Sequence, residues 1–370
     1  MLTEKIKSWK DRLRDRPGSA KKSPGTLPPP PPDAICRALG IRTLTIDLLA
    51  GDGSDRCYYR LRSTDLEQTL VLMQLSGNDA KALAANGYDW ITIARILNDY
   101  GIFVPRVICT MPDFAALVIE DYGDLMLETK ARLLLEKGQM DDLEQLYEQA
   151  FSILGAFLKI PLNPDHIWTR RQFDAERLSW ELRFFRQQYL EKTIGLHFNG
   201  TRAAQFQQEI EALSQFLAGW SACFVHRDFH SRNLMVGPDR LAVIDFQDAR
   251  IGPAAYDLVS LCFDSYIPLP PASRKEFLQK GIAQIQVAEN PRANRSALEE
   301  QWRPMLLQRQ LKAIGSFGYL TVEKNRGNYL NYVKPALLTL DKELVFDERW
   351  PFLSGELPEL MQTRLPVEKT

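Results

Sequence analysis

Apolar and polar positions change their rhythm along this chain. In the first third, short apolar runs at residues 44–49, 57–61, 70–73 and 115–119 read as strands, with a helical stretch near residues 88–99 between the last two. Past residue 140 the spacing becomes helical. Leu143, Leu146, Tyr147, Ala150, Phe151, Leu154 and Phe157 recur at three and four residues and predict one buried helix face, and residues 178–189 predict another. Within the helical part, two apolar segments at 222–225 and 234–236, the turn Gly237-Pro-Asp-Arg240 and a return strand at 241–244 predict a local hairpin.

The hairpin carries the candidate chemistry. Phe224-Val-His-Arg-Asp-Phe-His-Ser-Arg-Asn-Leu-Met-Val236 fits the kinase catalytic-loop pattern H-R-D-x-x-x-x-N, with Asp228 and Asn233 in the chemical positions. Twelve residues after Asn233, the strand Leu241-Ala-Val-Ile ends in Asp245-Phe246, where a kinase places its second metal ligand. Phosphoryl transfer passes through a loose transition state with charge on non-bridging oxygens, so the protein's task is positioning and charge neutralisation. Magnesium takes hard oxygen ligands, which the Asp245 carboxylate and Asn233 amide carbonyl supply, while Asp228 faces the acceptor hydroxyl and takes its proton late. A polar loop between two buried strands would explain either half alone; the two together, in order, point to ATP and Mg as ligands.

His226 reads as structural, bonding backbone carbonyls to hold the loop. His230 and Arg232 flank the two chemical residues and are candidate contacts for phosphate or acceptor, with the planar guanidinium better suited to phosphate. Gln247 and Asp248, just past the metal ligand, belong at the acceptor edge; Asp248 could equally pair with Arg227 or Arg250. Asp257 is expected to cap a helix starting near Leu258 and to prop the loop. On the nucleotide side, Gly51-Asp-Gly-Ser-Asp-Arg56 can lay backbone N–H groups over phosphates, with Gly51, Gly53, Ser54 and Arg56 as candidate contacts. The next strand should carry an ATP-anchoring lysine, but Met73 or Gln74 occupies that position, and the following helix has no glutamate to pair with one. Arg56, Arg60 or Lys81 could supply the charge, and Arg56 is preferred because it closes the turn.

Residues 226–236, Ile244-Asp-Phe-Gln-Asp-Ala249 and Gly252-Pro-Ala-Ala-Tyr-Asp-Leu-Val-Ser-Leu261 together resemble the aminoglycoside phosphotransferase family of small-molecule kinases. Ile244–Ala249, Gln308-Arg-Gln-Leu-Lys-Ala-Ile-Gly315 and Glu120-Asp-Tyr-Gly-Asp124 are most similar to the bacterial anomeric amino-sugar kinases of cell-wall recycling. The resemblance implies an α+β, two-lobed protein-kinase-like fold with ATP in the cleft, a small antiparallel sheet lobe and a larger helical lobe. It also implies a hinge in which the backbone of Glu120 and Tyr122 bonds adenine, and a Glu181 that faces the acceptor. N-acetylmuramate or N-acetylglucosamine is the expected acceptor; an aminoglycoside or other small alcohol is the alternative. A protein kinase is disfavoured because only five residues separate Asp245-Phe246 from Gly252-Pro253, too few for a peptide platform. A catalytically inactive nucleotide-binding module is favoured by the missing lysine and opposed by the intact Asp228, Asn233 and Asp245.

Composition adds boundaries. A net charge of -1 gives no basic footprint for nucleic acid. Five scattered cysteines with no C-x-x-C pair suit a reducing, cytoplasmic setting and argue against zinc, and no run of 18 apolar residues suggests a membrane span. The expected division is a basic amphipathic and proline-rich tail at 1–33, a nucleotide-binding lobe at 34–122, a catalytic and substrate lobe at 123–354, and a tail at 355–370. The first sixteen residues carry Ile6, Trp9 and Leu13 at helical spacing, about three apolar anchors, so a solvated tail is expected over docking on a membrane surface or partner. A monomer is expected.

Overall fold

A computed structural model describes residues 29–49, 56–287, 290–343 and 346–364 of the chain. The tail reading for the N-terminal 28 residues, and Gly51, Gly53 and Ser54, lie outside them. The chain divides into two compact units. One holds the residues through Tyr88 with Arg106–Asp121; the other holds Asp89–Pro105 and everything from Tyr122 onward.

The first unit is a five-stranded antiparallel sheet of β1 (Thr45–Leu49), β2 (Cys57–Arg62), β3 (Leu70–Gln74), β4 (Val107–Met111) and β5 (Ala116–Glu120), in the order β1-β2-β3-β5-β4. The central strands β3 and β5 are buried at every position, which is why they read as unbroken apolar runs rather than alternating ones. Helix α1 (Pro32–Leu39) starts on a proline and stops at Gly40 in the left-handed region (φ 68°). It lays Ala34 and Ile35 on Leu61, Leu70, Leu72, Ala116 and Val118. Helix α2 (Gly77–Ala84) follows β3.

The second unit contains helices α3 (Asp89–Asp99), α4 (Leu127–Glu136), α5 (Met140–Lys159), α6 (Ala175–Phe185), α7 (Gly200–Ala218), α8 (Ala255–Cys262), α9 (Pro271–Ile285), α10 (Arg295–Val322) and α11 (Val333–Glu343). In α5 the predicted stripe is buried from Leu143 to Phe157, apart from a half-buried Leu146. The second predicted helix ends early: α6 stops at Phe185 and passes into a π-type turn over Arg186–Glu191. Two small antiparallel pairs interrupt the helices, β6 (Ser221–Val225) with β9 (Arg250–Pro253) and β7 (Leu234–Val236) with β8 (Leu241–Val243). Gly315 lets α10 approach α6 closely, since a Cβ there would stand 2.6 Å from the Phe185 Cα.

Two expectations need correction. The segment from residue 355 is not a tail throughout: helix α12 (Leu357–Gln362) packs with Leu357 and Met361 fully buried, four residues apart on one face. Asp257 does not cap α8, which begins two residues earlier, because both of its carboxylate oxygens are committed elsewhere. Among the described residues all five cysteines are free thiols, and no helix is long and apolar enough to cross a membrane.

Candidate active site

The loop after β6 is built on hydrogen bonds that converge on its turns. Asp257, on the first turn of α8, accepts the backbone N–H groups of His226 (2.6 Å) and Arg227 (3.0 Å). The fully buried His226 ring accepts the Asp228 N–H at Nδ1 (3.3 Å), which leaves Nε2–H to donate to the Ile244 carbonyl (3.0 Å). The ring therefore ties Asp228 to the residue before Asp245, and burial lowers its pKa, holding it neutral despite the nearby carboxylates. Asn233 donates through Nδ2 to the Asp228 carbonyl (2.9 Å), and its own carbonyl accepts the Ile244 N–H (3.0 Å). Asp228, Asn233 and Asp245 thus sit in two loop segments, after β6 and after β8, cross-tied through His226 and Asn233. Arg227 (φ 84°) and Asp245 (φ 63°) occupy the left-handed region, strain that side-chain residues adopt only where their surroundings impose it.

One carboxylate oxygen of Asp228 receives Lys312 Nζ of α10 at 2.7 Å. Burial pushes the Asp228 pKa up, but the fields of Lys312, Arg227 and Arg309 outweigh it and hold the carboxyl well below its ordinary range. Burial likewise lowers the Lys312 pKa, against the pull of Asp228. His230 is pushed down to about 3 by burial and by Arg309 and Lys312, against the pull of Asp228, so it is a neutral ring at physiological pH. These groups open on a cavity of about 130 Å³. Asp228, His230 and Lys312 stand with Arg309 at its polar end, and Phe263, Tyr266 and Phe317 give it aromatic walls. Asp264 also lines it, but that carboxylate is occupied by the Ser231 N–H and hydroxyl and by the Tyr266 N–H.

Of the acceptor candidates, His230 reaches this cavity and the others do not line it. Arg232 is clamped by Glu128 (2.6 Å) and the Tyr332 hydroxyl (2.6 Å) and lies over the Tyr266 ring at 3.9 Å, so its fork is already occupied. Glu181 is 1% exposed: Oε2 accepts from Gln308 (2.9 Å), while Oε1 lies 3.5 Å from Arg227 and 3.9 Å from Arg177. Asp248 lies 3.5 Å from Arg227, and Gln247 donates to Asp245 (2.7 Å).

On the nucleotide side, Arg56 pairs with Asp79 of α2 at 2.8 Å, and Arg60 pairs with Asp121 at 2.6 Å. Met73 is fully buried, and Gln74 spends its amide on the carbonyls of Phe114 (2.7 Å) and Ala115 (3.2 Å), so neither replaces a phosphate-anchoring lysine. Glu120, at the end of β5, commits its N–H to the Arg106 carbonyl (3.0 Å) and its carboxylate to the Arg106 guanidinium; the half-buried Tyr122 begins the long stretch of the second unit.

The sequence profile of the phosphotransferase enzyme family matches residues 45–294. This chain belongs to that family. Among its relatives, the N-acetylmuramate/N-acetylglucosamine kinase of Pseudomonas aeruginosa is 27% identical over 77% of this chain and 79% of its own length. The enzyme of the same name from Pseudomonas putida is 27% identical over 85% and 84%. An AMP-bound spectinomycin phosphotransferase superposes with a TM-score of 0.55 at 13% identity, covering 84% of this chain and 98% of its own, which shows the shared fold. The fold is α+β and protein-kinase-like, a small antiparallel sheet unit followed by a mainly helical one.

Sequence reading missed the far wall of this phosphotransferase's cavity. Arg309, Gln310 and Lys312 stand about eighty residues beyond the loop after β6, and no spacing along the chain links them to it. The signal that existed was the stretch Gln308–Gly315, in which a buried helix carries Gln, Arg, Gln and Lys within five residues.

Proposed function

We propose that this phosphotransferase is an ATP- and magnesium-dependent kinase that moves the γ-phosphoryl group to the anomeric hydroxyl of an acetylated amino sugar, N-acetylmuramate or N-acetylglucosamine. The observation that carries this reading is the cavity at Asp228, whose two carboxylates are both engaged and whose walls are aromatic. Aromatic faces suit the C–H face of a sugar ring, and the serine and amide groups beside them suit its hydroxyls. A polycationic aminoglycoside would find the two carboxylates of that cavity already engaged. The relatives' activity on the same sugars agrees.

In this reading Asp228 accepts the hydrogen bond of the acceptor hydroxyl. Because its pKa is depressed, it is a weak base that orients the oxygen and takes the proton late. Asp245 and the Asn233 Oδ1, whose Nδ2 is spent on Asp228, form a hard-oxygen pair suited to magnesium. When bound, that ion neutralises phosphate charge and polarises the transferred group. His226 and Asp257 hold the loop, and Glu181 holds Arg227 rather than the acceptor. Arg56 contacts the nucleotide, and the backbones of Glu120 and Tyr122 receive adenine. The missing lysine is the one feature favouring an inactive nucleotide-binding module. With free thiols and ATP as donor, the cytoplasm is the proposed compartment.

The test is ADP release by the purified chain with Mg-ATP and a panel of N-acetylmuramate, N-acetylglucosamine, their methyl glycosides, aminoglycosides and ethanolamine. Turnover of the free sugars, with none of the methyl glycosides, is the expected result. Turnover of aminoglycosides alone would overturn the acceptor; nucleotide binding with no turnover of any acceptor would overturn the enzyme reading.

A further inference from the structure

We infer that Lys312, on α10, is the cation that contacts the γ-phosphoryl group during transfer. The inference rests on the kinase reading above and adds a residue to it. Lys312 Nζ lies 2.7 Å from the Asp228 oxygen and lines the same cavity. A nucleophilic hydroxyl bonded to Asp228 stands about 3 Å from it, and its phosphorus about 3–3.5 Å further. An ammonium already touching Asp228 therefore falls within reach of the non-bridging oxygens of that group.

The other charged groups around Asp228 face protein partners. Arg309 donates to Ser260 (2.7 Å) and Tyr256 (3.1 Å). Arg227 faces Glu181 and Asp248, and Arg232 is clamped by Glu128. His230 accepts the Arg232 N–H at Nδ1 and is neutral. On the sheet unit, Gln74 is tied to backbone carbonyls where a phosphate lysine would stand. A lysine ammonium has three donors, so Lys312 can keep Asp228 and still offer an N–H to phosphate.

In the step, the acceptor oxygen forms a bond to Pγ while the bond from Pγ to the β–γ bridging oxygen breaks. That bond's electron pair stays on ADP, and the hydroxyl proton passes to Asp228. Lys312 makes and breaks no covalent bond; it compensates charge that grows on the transferred group.

The test compares wild-type chain, Lys312→Met and Lys312→Arg, each confirmed folded by thermal melting, with N-acetylglucosamine as acceptor and either ATP or ATPγS as donor. Lys312→Met should lower kcat by about 10²–10³-fold with less change in either KM. It should also narrow the ATP/ATPγS rate ratio by about tenfold, because the group that distinguishes oxygen from sulfur is gone. Lys312→Arg should recover part of kcat and keep the wild-type ratio. A Met variant with an unchanged ratio would reduce Lys312 to a holder of Asp228, and one that raises only the acceptor KM would make it a substrate clamp. Either result overturns the inference and leaves the kinase reading standing. A wild-type chain that turns over no acceptor removes both.

Discussion

The catalytic loop and the helix facing it reach one cavity by opposite routes. The loop is contiguous in sequence and fixed by hydrogen bonds: Asp257 holds His226 and Arg227, Asp264 holds Ser231, and His226 joins Asp228 to Ile244. Helix α10 is fixed by packing, through Gly315 against Phe185, and delivers Lys312 to Asp228 from 84 residues away. The comparison teaches that the proposed reacting groups are encoded locally, whereas the charge balance and shape of the cavity beside them are assembled at a distance.

Perturbing each side separately sharpens that contrast. The largest effect is expected from Asp228→Asn, which removes the proposed proton acceptor: turnover should fall about 10²–10⁴-fold in steady-state assays, while nucleotide binding by calorimetry is retained. Next is Asp257→Ala, which orphans two buried backbone N–H groups and should cost about 2–5 kcal/mol in urea unfolding, with turnover lost as the loop relaxes. A variant as stable as the parent would show that the loop does not depend on that carboxylate.

On the packed side, Gly315→Ala forces α10 away from α6 and should cost about 1–3 kcal/mol by the same measurement. It should lower turnover while leaving nucleotide affinity unchanged, and wild-type stability would mean that the close approach is not needed. The smallest effect expected is on acid stability. His230 is buried neutral, its pKa pushed down to about 3 from an ordinary value of 6.5, so the unfolded chain binds the extra proton first. The stability from this group is complete above pH 6.5 and is lost as pH falls from there towards 3. Melting temperatures of His230→Gln should show a shallower decline over that window than those of the parent.

Much of the architecture was legible. β7 was read to the residue, β1–β3 and β5 to within one, and the buried face of α5 from its spacing, because burial of strand cores and one helix face imposes period on the sequence. That Asp228, Asn233 and Asp245 belong to one cross-tied loop was legible from the fixed spacing of the motif. The acceptor side was not. Arg232 was a plausible phosphate fork until Glu128 and Tyr332, which occupy it, were seen to meet it, and a carboxylate such as Glu181 reads alike whether it grips a sugar or an arginine. The helix at Leu357–Gln362 was overlooked because six residues are too few to show a period.

The sequence by itself determined most of the strand and helix content and the kinase-like loop pattern with its order, since each depends on neighbours within a dozen positions. Only the tertiary structure decided that Lys312 meets Asp228, that Arg232 and Glu181 are spent on protein partners, and that Arg227 and Asp245 hold left-handed backbones. The physical reason is that a side chain's charge partners and its strain are set by whatever the fold packs beside it, and those partners here come from helices with no proximity along the chain.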